Sequence, residues 1–136
     1  MRSRWCAALA LALLAGCAVA EGAPADLCDA GWRSRDTVIV EPGGVDEQPV
    51  AIDCMRALER RRVRIGFTMP PGPECHDVSR IEVVETAEAV SVTVFLARRD
   101  DPNAGACAEP RRVRTELDLQ QAVGRRDLLD GSREAE

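Results

Sequence analysis

His76 is the only histidine in the 136-residue chain, and it stands between Cys75 and Asp77, just after the run Pro70-Pro71-Gly72-Pro73. Imidazole exchanges a proton near neutral pH. In a hydrolase it needs a nucleophile on one side and an orienting acid on the other. Asp77 suits the acid, and Ser79 or Ser91 suits the nucleophile. Neither serine sits in a G-x-S-x-G elbow, and a cysteine closed in a disulfide is no thiolate. The plainer reading of His76 is a loop histidine beside a disulfide. Asp100, Asp101 and Asn103, followed by Gly105, form a fragment of a calcium loop, but the bidentate glutamate that closes such loops is missing. Turn chemistry explains them more simply. Zinc lacks support too, with no C-x-x-C pair and a single histidine. Neither a metal nor a cofactor is expected. Glu82, Glu85 and Glu88 lie close in sequence, yet acid pairs of the glycosidase kind need two contrasting environments in a cleft. The clusters Arg60-Arg61-Arg62, Arg98-Arg99 and Arg111-Arg112 would form an anion or lipid-headgroup patch if their strand ends met. Salt bridges with the many carboxylates are the simpler expectation.

The cysteines carry the firmer chemistry. Of the six, Cys28, Cys54, Cys75 and Cys107 are an even set for two disulfides in an oxidising compartment. Four cysteines allow three pairings. Cys28–Cys54 and Cys75–Cys107 are favoured because each pair flanks one local unit.

The other two cysteines belong to the N-terminus. Met-Arg-Ser-Arg is a short basic segment, and Ala7 to Ala15 contains only alanine and leucine. Such a run is too short to cross a bilayer and reads as a signal peptide. Ala18-Val19-Ala20 offers an A-x-A cleavage site, which would give a secreted protein starting at Glu21. Leu14-Ala15-Gly16-Cys17 instead resembles the lipobox of bacterial lipoproteins at all four positions. That resemblance implies removal of residues 1–16, Cys6 included, and an acylated, palmitate-bearing Cys17 at the new N-terminus. The expected organisation is then a lipid-anchored tether over 17–27, one globular domain over 28–131 and a flexible tail over 132–136.

All 18 basic residues are arginine, against 23 carboxylates. Without Arg2 and Arg4 the mature chain carries a net −7. An acidic domain without tyrosine, whose aromatic residues are Trp32, Phe67 and Phe95, is poorly suited to nucleic acid, and its net charge argues against a polybasic membrane contact.

Several elements follow from periodicity. Thr37-Val38-Ile39-Val40 is a β-branched run stopped by Pro42-Gly43-Gly44. Ala51, Cys54, Met55 and Leu58 recur at helical spacing, which predicts a helix over 49–61 with Asp46 as its cap and Cys54 turned inward. Beyond it the period becomes two. Val63–Met69, Ile81–Glu85, Val90–Leu96 and Val113–Leu119 read as strands with one apolar face, Thr86-Ala87-Glu88 as a connection, and Asp130-Gly131 as a turn. This pattern predicts a mostly antiparallel β domain with one helix, sandwich-like, stapled by two disulfides.

From Cys75 to Gly131 the chain resembles a recurring type of small secreted or lipid-anchored protein from high-GC actinobacteria. The resembling features are Cys75 before the strand Ile81–Glu85, Glu85-Thr86, the alternating Ala89–Leu96, Cys107, and the closing Gly124-Arg125-Arg126-Asp127-Leu128-Leu129-Asp130-Gly131. The resemblance implies the cell envelope and disulfides and carries no chemistry. The expectation for function is a non-enzymatic binding or interaction module, held on the extracytoplasmic side of the cell membrane by its lipid, with an envelope protein as partner. The alternatives are a hydrolase using His76 and Asp77, or a protease inhibitor presenting Pro70–Pro73.

Overall fold

The computed structural model describes Cys28 and residues 40–99 and 105–133. Among the described residues seven strands form two sheets: β1 Val45–Val50, β2 Ile52–Glu59, β3 Arg62–Met69, β4 His76–Glu85, β5 Ala89–Arg98, β6 Arg111–Asp118 and β7 Asp127–Asp130. A 3₁₀ turn, Gly131–Arg133, follows β7. The two disulfides are Cys28–Cys54 and Cys75–Cys107.

β2, β3 and β6 make one antiparallel sheet, with β3 in the middle. β5 is the centre of the other. One of its edges pairs antiparallel with β4, and its opposite edge is shared. Ala89–Val92 pair there with β7 in parallel, and β1 pairs antiparallel further on, from Val94 to Arg98. The inner faces meet in a single core. Val63, Ile65, Phe67, Met69 and Val113 come from one sheet, and Val78, Val90, Val92, Val94 and Leu96 from the other. The strict alternation of valines in β5 puts every second side chain in this core, as expected of an antiparallel sheet with one wet face. The β4–β5 hairpin is closed by Thr86, whose Oγ1 accepts from the backbone N–H groups of Glu88 and Ala89.

The helix expected over 49–61 does not form; its residues fall in the end of β1, in β2 and in the Arg60-Arg61 turn that follows. The misreading has a physical source. The β2–β3 register shifts between Ile52 and Cys54, so that Ile52 faces Phe67 and Met55 faces Ile65. A bulge at Asp53 therefore gives a strand two core residues three positions apart, the spacing of a helix. Cys54 is corrected with it. It sits opposite Gly66, on the outer face of the sheet. There Cys28 bridges to it and is 1% exposed, with its carbonyl accepting from Arg114 Nη1 at 3.3 Å. Asp46 caps nothing; it lies in β1 with φ 54°, a conformation that aspartate tolerates better than most side chains.

The outer face of the β3 sheet is a lattice of charge. Across it run the rows Glu59–Arg62–Asp118 and Arg56–Arg64–Glu116, then Cys54–Gly66–Arg114 and Thr68–Arg112. The outer face of the β5 sheet differs. It carries Arg80 stacked on Phe95 at 3.6 Å, together with Glu82 and Thr93. A row then runs from Val84, 58% exposed, through Ser91 to Leu129, 36% exposed. The Gly131 turn packs against this face, where a β-carbon would collide with the Thr93 hydroxyl and lie 2.9 Å from that of Ser91.

The expected signal segment 1–16, the tether 17–27 with Cys17, Trp32 and the run Thr37–Ile39 lie outside the described residues. Val40 bridges to Val78 in parallel. Ser132 and Arg133, expected in the tail, belong to the 3₁₀ turn, with Ser132 N–H and Oγ both bonded to Asp130.

Candidate functional site

The Cys75–Cys107 bridge fastens the start of β4 to the segment before β6. Around it, Arg99 N–H donates to the Cys75 carbonyl at 3.0 Å, and Gly72 and Cys107 exchange two backbone bonds of 2.9 and 3.0 Å. This braced end gathers His76, Asp77, Arg98, Arg99 and Arg111. Beside it lies a cleft of about 200 Å³ between the Pro42-Gly43-Gly44 turn and the Asp77–Arg99 pair. Gly44 is needed there, since a β-carbon would come within 2.5 Å of the Ala97 side chain.

Asp77 accepts both Nε and Nη2 of Arg99, at 2.7 and 2.6 Å. This bidentate bond is the main reason its carboxyl is held below the usual range, and Arg111 and His76 add to the effect against the opposing cost of burial. The carboxylate is thus turned to Arg99 rather than to His76. Nδ1 of His76 is enclosed without a hydrogen-bond partner, so no acid orients the ring as a relay requires. Ser79 is also committed elsewhere: its Oγ meets Glu47 Oε1 and the Phe95 carbonyl, at 2.5 and 3.1 Å. Ser91 lies seven positions from Arg98 along β5, towards the opposite end of the strand. The four residues that suggested a hydrolase are not brought together.

The other candidates separate as well. Glu82 pairs with Arg80 on the outer face of β4, and Glu88 lies exposed in the hairpin turn. Among the described residues, no three of His, Cys, Asp and Glu gather as metal ligands. Asp100, Asp101 and Asn103 lie outside the described residues; Gly105 has φ 68°. Of the arginine clusters, Arg98-Arg99 and Arg111-Arg112 share the disulfide end of the sandwich, while Arg60-Arg61-Arg62 lie at the other end of β3. Arg62, Arg98 and Arg99 are engaged in ion pairs. Arg98 meets Glu74 at 3.0 Å and Asp46 at 3.2 Å, and Arg62 meets Asp118 at 3.1 Å. Arg111 places Nη2 3.1 Å from the Met69 sulfur.

The chain matches no protein family, no curated protein and no solved structure. The site must therefore be understood from its own geometry. Two disulfides fit an extracytoplasmic location. No helix among the described residues is long and apolar enough to cross a membrane.

The most enclosed ion pair among the described residues was not legible as such. Glu85 ends β4 and accepts the backbone N–H groups of Gln120 and Gln121 at 2.7 and 3.1 Å, and Arg126 Nη1 at 3.0 Å. Arg126, 7% exposed at its side chain, donates further to the carbonyls of Thr86, Gln121 and Ala122. Together they fix the 119–126 loop between β6 and β7. The only sequence signal was a glutamate closing a strand. The backbone bond from Gln120 leads the causes that lower the Glu85 pKa. A carboxyl with a lowered folded pKa adds stability in full above its unfolded value, here 4.5, and loses it as pH falls through the folded value. The Arg126→Ala variant is accordingly expected to melt lower than wild type at pH 7 and to lose less of its midpoint between pH 5 and strong acid. Thermal melts followed by circular dichroism across that range check this; parallel curves would refute it.

Proposed function

We propose that this chain is an exported lipoprotein, anchored through Cys17, and that its sandwich is a non-catalytic binding module at the cell envelope. One observation carries the proposal. The two bridges use Cys28, Cys54, Cys75 and Cys107, and cleavage before Cys17 would discard Cys6. Cys17 is then the one mature cysteine outside a disulfide, at the position where a lipobox places its acylated residue. Each buried lipid methylene contributes about 0.8 kcal/mol, and two or more acyl chains hold stably. The binding reading is supported by the fold's use of its charged side chains. Asp77, Glu85, Arg98 and Arg126 are tied into ion pairs that brace loops and strand ends, and His76 and Ser79 share no contact.

Growth with a labelled fatty acid is expected to mark the wild-type protein and to leave Cys17→Ala unmarked and released from the membrane fraction. Label retained by the variant, or a mature N-terminus at Glu21 in the wild type, would overturn the proposal.

A further inference from the structure

We infer that the open edge of β4, from Ile81 to Glu85, joins two copies of this chain through an antiparallel β4–β4 pairing. The inference rests on the reading of the sandwich as a binding module, to which it assigns a partner, and is independent of the Cys17 anchor.

The backbone of this edge is free. Thr86 N–H donates to the Ala89 carbonyl at 2.9 Å, which makes Thr86–Ala89 a hydrogen-bonded pair of the β4–β5 ladder. Bonded and non-bonded pairs alternate along an antiparallel ladder. Val84–Ser91 and Glu82–Thr93 are therefore bonded pairs, and the N–H and C=O groups of Ile81, Val83 and Glu85 point away from β5. The first half of β4 shows an outward group in use: the Val78 carbonyl accepts Glu41 N–H at 2.9 Å, beside the Val40–Val78 bridge. That cover stops at Val78. The outward groups of Ile81, Val83 and Glu85 have no partner among the described residues, and Glu82, Val83 and Val84 are exposed in succession.

The other edges are guarded against pairing. β1 carries Pro49 and a register shift, β2 has two register shifts, and β6 is charged at five of its eight positions. Proline, bulges and charge are the devices that keep edges apart. From Ile81 to Glu85, β4 has neither proline nor bulge, and its two carboxylates are already neutralised, Glu82 by Arg80 and Glu85 by Arg126. Val84 is the most exposed large apolar side chain among the described residues.

An antiparallel edge is complementary to a second copy of itself about a two-fold axis. Outward groups must meet outward groups, so the axis falls on a single residue. An axis at Glu82 would set two carboxylates face to face, and one at Val83 would set Glu82 against Val84. An axis at Val84 brings the two exposed valines together. It joins Val83 to Glu85 of the second copy, and Glu85 to its Val83, as hydrogen-bonded pairs. It also turns Arg80 towards the hairpin that holds the second copy's exposed Glu88. The axis is perpendicular to the sheet, which continues unbroken across the pair.

A cysteine at the axis reports the pairing. In a non-hydrogen-bonded pair the Cα atoms stand about 4.5 Å apart, inside the range of about 4.4–6.8 Å that a disulfide spans. The full-length protein carrying Val84→Cys, mildly oxidised in the membrane or medium where its host exports it, is expected to run as a dimer that dithiothreitol dissolves. Leu129→Cys lies on the same outer face, two strands from the edge, and is expected to stay monomeric. Adding Val83→Pro to Val84→Cys removes an N–H that β5 does not use, which an edge strand tolerates. The trapped dimer is then expected to fall about ten-fold, because each copy loses a bond to the other, with the circular dichroism unchanged. Val84→Arg opposes two charges at the axis on an exposed site, and is expected to sediment as a monomer at concentrations where the wild type dimerises. No dimer from Val84→Cys, equal trapping from Leu129→Cys, identical sedimentation of Val84→Arg and wild type, or a cross-link to a different protein would overturn the pairing. The anchor, which fatty-acid labelling reads separately, and the non-catalytic reading would then still stand.

Discussion

Reduction of both disulfides is expected to unfold this domain in buffer at 37 °C. The bridges close loops with sequence separations of 26 and 32 residues. Constraining the unfolded chain over loops of that length contributes about 3–4 kcal/mol each. Their sum, about 7 kcal/mol, is of the order of the whole stability of an ordinary domain, about 5–15 kcal/mol. The two are not equivalent in what they hold. Loss of Cys75–Cys107 frees the start of β4 from the segment leading into β6 and loosens the two sheets at one end. Loss of Cys28–Cys54 releases a nearly fully buried cysteine from the edge strand β2. Urea titrations of the double variants Cys28→Ala/Cys54→Ala and Cys75→Ala/Cys107→Ala are expected to show a clear fall in midpoint for each, with no cooperative transition left in dithiothreitol. A reduced protein with the oxidised midpoint would refute this account.

Phe67→Ala is expected to cost about 3–5 kcal/mol. Phe67 is fully buried in the middle of β3, between Ile52 on one neighbouring strand and Val113 on the other. It is the largest side chain in a core otherwise built mainly of valine, leucine and isoleucine. Short branched neighbours held on two rigid sheets cannot swing into the space a ring leaves, so most of the cavity persists. At roughly 4–8 °C per kcal/mol for a domain of this size, the melting midpoint should drop by more than about 12 °C. Phe67→Leu keeps much of the apolar volume and should lose less. Calorimetry of the three proteins decides it; a drop of only a few degrees for Phe67→Ala would mean that the sheets close over the gap.

The strands that were legible in the sequence share one property. β3, β5 and β6 have long uninterrupted alternation, with one set of alternating apolar residues in the core. Where the ladder is irregular, periodicity misleads. The bulge at Asp53 lends β2 the spacing of a helix. The register shift between Val78 and Arg80 places Val78 and Ile81 three apart on the inner side of β4, so only the half from Ile81 onward read as a strand. β1 escaped notice because an edge strand needs little apolar surface. Its central residues are exposed, and it accommodates Pro49 where a central strand would not. β7 has four residues, too few to show a period. The disulfide pairing was favoured but not fixed by spacing. The site was less legible than the fold. His76 and Asp77 are neighbours in sequence, but Asp77 is claimed by Arg99 across the β4–β5 pair. The acceptors of Gln120 and Gln121 come from Glu85, 35 and 36 positions earlier, and nothing local announces such a bond.

The shared edge of β5 has a further consequence for the order in which the protein can be completed. The strand is flanked there by segments from the two ends of the domain, Val45–Val50 and Asp127–Asp130. A chain emerging from a ribosome or a translocation pore N-terminus first can form the β2–β3 and β4–β5 hairpins early. It cannot seat the last partner of β5 until Asp127–Asp130 have appeared, and pairing between segments far apart in sequence is slow. Until then half of that edge stands open. A sheet that closes so late keeps part of its central strand unpaired through most of its own synthesis.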